Sequence, residues 1–363
     1  MLDKKEIRSL AIPAILYNIT EPLIGLADTA IIGQLENHST IAQGGVGLAA
    51  GLIATLIWGF AQMRTSLSAI ISRHVGSHQL RRINSLIPQA LLLTITTGLI
   101  LSLLLGFYYQ EIVFLFFGKT DPLTYEYSNQ YFIIRSYGIP LGLIIALFFG
   151  IFRGFQNTYW AMYISIIGGI SNILLDYLLV LGVNEIIMPM GVKGAAYASV
   201  ISQIIMTLSC IFIYLQKTPF NFQIKLKVSP FFKEMLFIFI NMFIRTMVLN
   251  LVFIISNRFA NSYGNNSLAA YTIGYNIWIF SAFFIDGYSN AGNALAGKYI
   301  GQKNNLKLKI LGFNLLKINI RIAIILMTIY ILLYPFIGQF FNSNKIVIEF
   351  FQSFFWMVIL AQP

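Results

Sequence analysis

Ten long apolar stretches follow one another along this chain and constrain its fold more than any other feature of the sequence. About 20 apolar residues cross the ~30 Å hydrocarbon core of a bilayer, so each stretch has spanning length. Because backbone polar groups find no water in that core, such stretches fold as helices. The sequence therefore predicts an all-α polytopic membrane protein. The predicted spans are 7–33, 46–71, 84–107, 124–150, 158–183, 194–215, 232–257, 267–296, 310–337 and 346–363.

The distribution of charge supports this interpretation. Only 10% of the residues are charged, against about 25% in soluble domains, which excludes a soluble protein. The net charge of +11 comes mainly from lysine and arginine in alternate loops, as in cytoplasmic loops of membrane proteins. It predicts a cytoplasmic N-terminus, a location in the cytoplasmic (inner) membrane and no nucleic-acid partner. On the opposite side fall only Lys119, Lys193, Arg258 and Lys345.

Part of the sequence is repeated. Residues 48–60 (LAAGLIATLIWGF) align with residues 268–280 (LAAYTIGYNIWIF), with the tryptophans in register. Further on, Arg73–Gly76 (RHVG) aligns with Lys298–Gly301 (KYIG) at a similar offset. Both copies run in the same direction across the bilayer, so the repeat is parallel. Repeats of this kind build transporters in which the substrate path lies between two halves.

The repeat divides the chain into an N-lobe, residues 1–217 with helices 1–6, and a C-lobe, residues 218–363 with helices 7–10. Pro140 aligns with Pro363, so the second half lacks counterparts of the residues after Pro140. We therefore expect two parallel six-helix repeats, with about ten of twelve helices present.

Glu21, Asp28 and Asp176 lie well inside predicted spans of the N-lobe, where each carboxylate costs at least ~2.5 kcal/mol unless it faces a cavity or a partner. Glu21 and Asp28 share one face of the first span, and Asn172 precedes Asp176 by one helical turn in the fifth. Asp28 and Asp176 have similar depths, in the outer half of the bilayer. They are candidates for one site that holds a small cation or a shared proton. The alternative is that each carboxylate is solvated near the outer headgroups.

The remaining candidates are less specific. Tyr275 and Trp278, with Asp286, are candidates for a substrate cavity that holds flat organic cations through cation–π contacts, although such aromatic residues more often face lipid. Asp286 and Arg245 are expected to neutralise each other. Signatures of hydrolases, zinc enzymes and ATP-binding loops are absent from the sequence, so we predict a protein that is not an enzyme and carries no cofactor. Arginines near the inner ends of spans, expected to reach the interface, are Arg64 and Arg153. Arg135 lies in the outer half of its span, where it could face a cavity.

With these residues in view, the chain resembles the multidrug and toxic compound extrusion (MATE) family, and its DinF-like branch in particular. The resemblance covers nearly the whole chain in the family's order. It implies two bundles in a V around a central cavity, and export of organic cations in exchange for Na⁺ or H⁺ by a monomer in the lipid bilayer. The matching motifs lie at 22–35, 63–76, 139–158, 171–184, 190–202, 283–301 and 361–363.

The family pattern assigns the coupling-cation site to Asp28, Asn172 and Asp176, with Ser199 as the nearest candidate for a further hydroxyl ligand. If the ion is Na⁺, Asp28 and Asp176 are its carboxylate ligands. Pro13 matches a proline at which the first helix bends. Glu21 has no counterpart in the pattern and remains a candidate for the substrate cavity.

Two other functions fit parts of the sequence. A flippase for lipid-linked oligosaccharides, from the same superfamily, typically has an arginine-lined cavity, and Arg64, Arg135 and Arg245 keep that alternative open. A membrane enzyme acting on lipids would need a nucleophile, a metal site or a carboxylate cluster at the interface, and the sequence offers none. The resemblance also implies two more helices after Pro363, so we expect the chain to be a fragment or an interrupted reading frame.

Overall fold

The computed structural model describes residues 4–35, 39–117, 121–183, 187–220, 222, 227–341 and 345–362. Within these ranges the fold is helical, apart from one isolated β-bridge between Val183 and Ile187 and a short 3₁₀ helix at Leu80–Ile83. The prediction of an all-α fold is confirmed. The helices are α1 (Lys4–Ile32), α2 (Ser39–Phe60), α3 (Met63–Gly76), α4 (Leu86–Phe117), α5 (Pro122–Ser136), α6 (Gly138–Gly154), α7 (Tyr159–Val180), α8 (Val192–Lys217), α9 (Phe232–Ser262), α10 (Asn265–Gly301), α11 (Asn305–Phe341) and α12 (Lys345–Leu360).

The helices follow the predicted spans, with two spans divided. The second predicted span comprises α2 and α3, and the fourth comprises α5 and α6, which meet at an angle of 52°. In the described part of the chain, seven helical segments are long and apolar enough to cross a membrane, or eight if the bent pair forms one span. α1 continues without a break through Pro13 and Pro22.

We use the names N-lobe for α1–α8 and C-lobe for α9–α12, keeping the predicted division as a label. Two large apolar cores lie mainly within the N-lobe, and a third holds α10, α11 and α12 together. A fourth joins the lobes, where Ala11 of α1 packs with Ala291 and Ala294 of α10. Small side chains let two helix backbones approach closely, so these alanines fix the contact between α1 and α10.

The lobes also meet at one end of the bundle, where α1 and α9 begin and α3 and α10 end. We call this the basic end. A Cβ at Gly76 would collide with the carbonyl oxygen of Lys298, and a Cβ at Gly301 would collide with that of Arg73. The positions that the sequence repeat aligns thus pack on each other reciprocally. Farther from the basic end, the rings of Phe60 (α2) and Phe243 (α9) lie 4.9 Å apart, centroid to centroid.

Candidate cation site and interlobe cleft

Three of the four residues predicted for the cation site come together between α1 and α7. The helices approach closely because α7 has glycine at the contact, where a Cβ at Gly169 would lie 3.1 Å from the Thr20 methyl group of α1. Asn172 and Asp176, about one and two helical turns after Gly169, lie on one buried face of α7. Asp28 of α1 is also buried, and its carboxyl group is close enough to that of Asp176 for the two to influence each other electrostatically.

The polar atoms of this group have unmet hydrogen-bonding capacity. In the part of the chain that the structure describes, no partner lies within hydrogen-bond distance of Asp28 Oδ1, of either Asp176 carboxylate oxygen, or of the Asn172 amide. Buried polar atoms without a partner are rare, because each costs about 1–3 kcal/mol. Carboxylate and amide oxygens are ligands that hard cations prefer, so the arrangement fits a small cation or a proton.

Ser199 joins this group through a residue that the sequence analysis missed. Ser199 of α8 is buried, and it interacts with the hydroxyl group of Tyr131 on α5. Tyr131 in turn interacts with Asp28 and with Arg135, one turn further along α5. A tyrosine in an apolar span resembles a lipid-facing residue in the sequence, so no sequence signal distinguished Tyr131.

Arg135 supplies the positive charge nearest to the two carboxylates. It interacts electrostatically with both Asp28 and Asp176. A side chain at Gly138 would collide with the amide oxygen of Gln203 (α8) and would lie 3.2 Å from Nη1 of Arg135. Arg135 is half-buried, and the cavity-facing position considered for it stays a prediction. The site combines two carboxylates with one guanidinium.

Of the other predicted residues in α1, Pro13 is buried in the helix, and its bending role stays a prediction. Glu21 lies in α1, but its side chain falls outside the part of the chain that the structure describes.

The predicted substrate cavity separates into two clusters in the structure. Tyr275 and Trp278 of α10 pack on Phe253 of α9, with ring centroids 5.0 and 5.4 Å apart. Asp286 lies eight residues further along α10, about 12 Å along the helix axis. It is not part of this aromatic cluster. The aromatic pair therefore joins α9 to α10, and Asp286 belongs to a different environment.

Asp286 faces three arginines. It interacts electrostatically with Arg64 of α3, Arg245 of α9 and Arg153 at the end of α6. Asp286 forms no ion pair within 4.0 Å with any described residue, and Arg245, its expected partner, is one of three arginines that share its charge. Asp286 and Arg245 are both exposed. Because exposed charges are costly in lipid, we interpret the space that they share with Arg64 as part of a cleft between the lobes, and we use the name cleft for it below.

Arg153 does not reach the interface, contrary to expectation. Its side chain is 2% exposed and lies under the cleft. It donates from Nε to Ser68 Oγ at 3.0 Å and from Nη1 to the amide oxygen of Asn290 on α10. Asn290 Nδ2 also donates to the Tyr17 hydroxyl of α1 at 3.4 Å. A buried guanidinium therefore links the two lobes through neutral partners.

Two ion pairs close the basic end, and the sequence analysis did not foresee them. Arg73 of α3 donates two hydrogen bonds of 2.7 Å to Glu234 in the first turn of α9. Lys298 of α10 lies 2.6 Å from Glu6 in the first turn of α1, which also accepts a hydrogen bond from Tyr299. Each pair joins one lobe to the other. One sequence signal could have shown them: Arg73 and Lys298 align in the repeat, and the first helix of each lobe has an acidic residue in its first turn, Glu6 or Glu234.

These features define a class: a polytopic helical membrane protein with two lobes, a cleft between them and a buried acidic site in one lobe. The MatE family model matches residues 13–178 and 242–363, which is most of the chain. The chain therefore belongs to the MatE family.

Two curated relatives illustrate the likeness. DNA damage-inducible protein F of Escherichia coli K12 is 26% identical over 84% of this chain and 65% of its own length. The probable multidrug resistance protein NorM of Thermotoga maritima is 26% identical over 83% of this chain and 64% of its own length. The chain thus spans slightly less than two thirds of either relative.

Solved structures agree on the fold. A MOP superfamily transporter from Pyrococcus furiosus, described as having a binding pocket of reverse polarity, superposes with a TM-score of 0.87 at 21% identity, over 99% of this chain and 80% of its own. An outward-facing multidrug resistance MATE transporter superposes with a TM-score of 0.85 at 21% identity, with the same coverage. At this level of identity the likeness shows the fold of two six-helix repeats, of which this chain supplies the described helices.

Proposed function

We propose that this chain forms most of a secondary active antiporter that exports small organic molecules in exchange for a cation. The observation that carries the proposal is the pair of buried, neighbouring carboxylates, Asp28 and Asp176, three of whose four oxygens lack partners among the described residues. A buried charge of this kind reduces stability and is typical of ion pathways in membranes. The names of the relatives, among them multidrug resistance proteins, support the same class of function.

The charges of the site favour one monovalent cation per cycle. Two carboxylates and the Arg135 guanidinium, when all are ionised, leave a net charge of −1. One Na⁺ or one proton would neutralise the site, whereas a divalent ion would leave it positive. If the ion is Na⁺, the Asn172 amide oxygen and the Ser199 hydroxyl complete the ligands that Asp28 and Asp176 begin. If it is H⁺, the two carboxyl groups share the proton.

The cleft is the proposed substrate path, and the basic end is the proposed cytoplasmic side. The contacts between the lobes described above lie toward the basic end, so the cleft opens away from it. Alternating access then requires these contacts to break while the opposite side closes. The protein would be a monomer of the cytoplasmic membrane, with its N-terminus inside. Organic cations are the substrates that the resemblance implies.

The test replaces Asp28 by asparagine in the full-length protein in everted membrane vesicles, and follows ethidium transport driven by a Na⁺ or a pH gradient. We expect Asp28→Asn to reduce gradient-driven transport to the level of vesicles without the protein, because the site loses its charge but keeps its shape. Glu349→Gln, which removes an exposed carboxylate from α12, is the control. Undiminished transport in Asp28→Asn, with protein in the membrane, would refute the proposal. The gradient that drives the wild type identifies the ion.

A second function, the flipping of lipid-linked oligosaccharides, is favoured by one observation: the arginines Arg64, Arg153 and Arg245 outnumber Asp286 in the cleft. Pyrophosphate is a strong ligand for arginine clusters. Reconstituted protein that moves a fluorescent pyrophosphate-linked lipid between leaflets, independently of ion gradients, would favour this function over antiport.

A further inference from the structure

The cleft between the lobes ends on a group of charged side chains from four helices. Arg64 lies 12 residues before the end of α3, and Asp286 lies 15 residues before the end of α10. At 1.5 Å per residue, both are about 18–22 Å from the basic end, near the middle of the membrane. Arg245 lies 13 residues into α9, at a similar depth. Arg153, at the end of α6, reaches the same group from the N-lobe.

The group carries more positive than negative charge. Arginine remains protonated in proteins, so Arg64, Arg153 and Arg245 give three positive charges against the single carboxylate of Asp286. Asp28 and Asp176 are influenced electrostatically by Arg135 and not by the arginines of this group, and the glutamates in the first turns of α1 and α9 lie in ion pairs at the basic end. A surplus of positive charge in mid-membrane therefore remains, and such a surplus requires a counter-charge or water.

The geometry below the cleft is already fixed. Arg153 is buried and held by Ser68 and Asn290, and Asn290 is held by Tyr17, so the guanidinium is oriented without an anionic partner in contact. Arg64 is half-buried and Arg245 is exposed, one from each lobe. Guanidinium groups bind carboxylate and phosphate in a bidentate manner, and a preformed arrangement loses little entropy on binding.

An organic cation is a poor fit for this group. Among the described side chains Asp286 is its only carboxylate, and three arginines would repel a cationic head. The aromatic residues predicted for cation–π contacts, Tyr275 and Trp278, pack on Phe253 away from Asp286. The chemistry on the cleft floor thus differs from that of the acidic site between α1 and α7.

We propose that the floor of the cleft is a binding site for the carboxylate or phosphate group of an amphipathic organic molecule, held by Arg64 of the N-lobe and Arg245 of the C-lobe above the buried Arg153. Because the anion contacts both lobes, its departure removes a bridge between them. The inference rests on the proposed function only in taking the cleft as the substrate path. Asp286 lowers the affinity for an anion and so tunes its release.

Equilibrium binding to the full-length protein in nanodiscs tests the site without transport. The probes are norfloxacin, which has a carboxylate, and its methyl ester, which lacks the negative charge. We expect the acid to bind at least about tenfold more tightly than the ester, the factor for one charge-assisted hydrogen bond. Equal binding, or tighter binding of the ester, would overturn the proposal.

Substitutions in the group should change the binding of the acid in opposite directions, which a purely structural role of these residues would not produce. Arg64→Gln and Arg245→Gln should each reduce the preference for the acid about tenfold, and Asp286→Asn should increase the affinity for the acid. Arg321→Gln, which removes an exposed arginine from α11, is the matched control and should change nothing. An affinity for the acid that falls in Asp286→Asn, or that falls equally in Arg321→Gln, contradicts the proposal.

Two further arms separate the sources of the anion and the two proposals. Phosphatidic acid, titrated against phosphatidylcholine in the same nanodiscs, should displace the acid through Arg245 if a lipid headgroup is the natural ligand. No displacement, with the acid preference retained, assigns the site to a soluble organic anion. Asp176→Asn should lose coupling to the cation but keep the preference for the acid. Arg64→Gln and Arg245→Gln should lose the preference for the acid but keep the coupling site intact.

Discussion

The charged groups at the basic end and those between α1 and α7 are held in opposite ways. At the basic end, Arg73 donates two hydrogen bonds of 2.7 Å to Glu234, and both side chains remain about one-third exposed. Between α1 and α7, Asp28 and Asp176 are buried, and three of their four carboxylate oxygens lack partners among the described residues. The first arrangement stabilises one conformation. The second is costly in every conformation in which nothing binds.

This difference shows where coupling can be generated. A satisfied ion pair gains little from an added cation, whereas an unsatisfied carboxylate pair gains the full interaction. A cation that binds the N-lobe can therefore change the balance between two conformations whose energies differ by the strength of the basic-end contacts. A ligand shifts such an equilibrium only by its differential affinity for the two states. In the proposed antiporter, the acidic site would supply that affinity, and the basic end would set the equilibrium to be shifted.

The largest effect is expected from Asp176→Asn, which removes the charge from a fully buried carboxylate. Gradient-driven transport should fall to background, because the cation loses a ligand. The thermal unfolding temperature should stay the same or rise, because a buried group without a partner no longer has to be charged. Scanning fluorimetry of the purified protein and vesicle transport measure the two quantities. A lower unfolding temperature together with retained transport would show that Asp176 is structural.

The sequence allowed Asp28, Asn172 and Asp176 to be selected, because carboxylates inside apolar spans are exceptional and a spacing of four residues places two side chains on one helix face. It did not reveal Tyr131. An aromatic side chain on an amphipathic helix can face lipid or protein, and only the packing of α5 against α8 decides between them.

The errors concern residues whose environment depends on the contact between the lobes. Arg153 was expected to reach the interface because its span ends nearby, but Ser68 and Asn290 hold it under the cleft. Asp286 was paired with Arg245 because both lie in neighbouring spans, yet it also faces arginines of the N-lobe. Periodicity describes single helices, so neither the arrangement of the two lobes nor the charges they share can be derived from it.

A smaller effect is expected at the reciprocal glycines of the basic end. Gly76→Ala and Gly301→Ala each place a methyl group against a backbone carbonyl of the other lobe, which costs about 1–3 kcal/mol of the closed state. The basic end should open more often. Spin labels at Gln79→Cys and Gln302→Cys, both exposed positions, report the distance across this end.

The control for this comparison is Gly312→Ala, because a Cβ at Gly312 of α11 meets nothing within 4 Å. Alanine there should stabilise the helix by about 0.5–1 kcal/mol and leave the label distance unchanged. If Gly76→Ala and Gly301→Ala also leave the distance distribution unchanged, the close contacts at the basic end do not hold the lobes together.

The smallest effects are expected from the ion pairs themselves. Glu234→Gln and Glu6→Gln should each cost about 0.2–1 kcal/mol, because partly exposed pairs contribute little. The bidentate geometry makes Glu234→Gln the larger of the two, and the two losses should add because the pairs share no residue. Unfolding temperatures at low salt measure the losses, and about 1 M NaCl should reduce the difference from the wild type, since salt screens exposed charges. Losses that exceed those of Gly76→Ala, or that persist unchanged in high salt, would mean that these pairs, and not the backbone contacts beside them, determine how firmly the basic end closes.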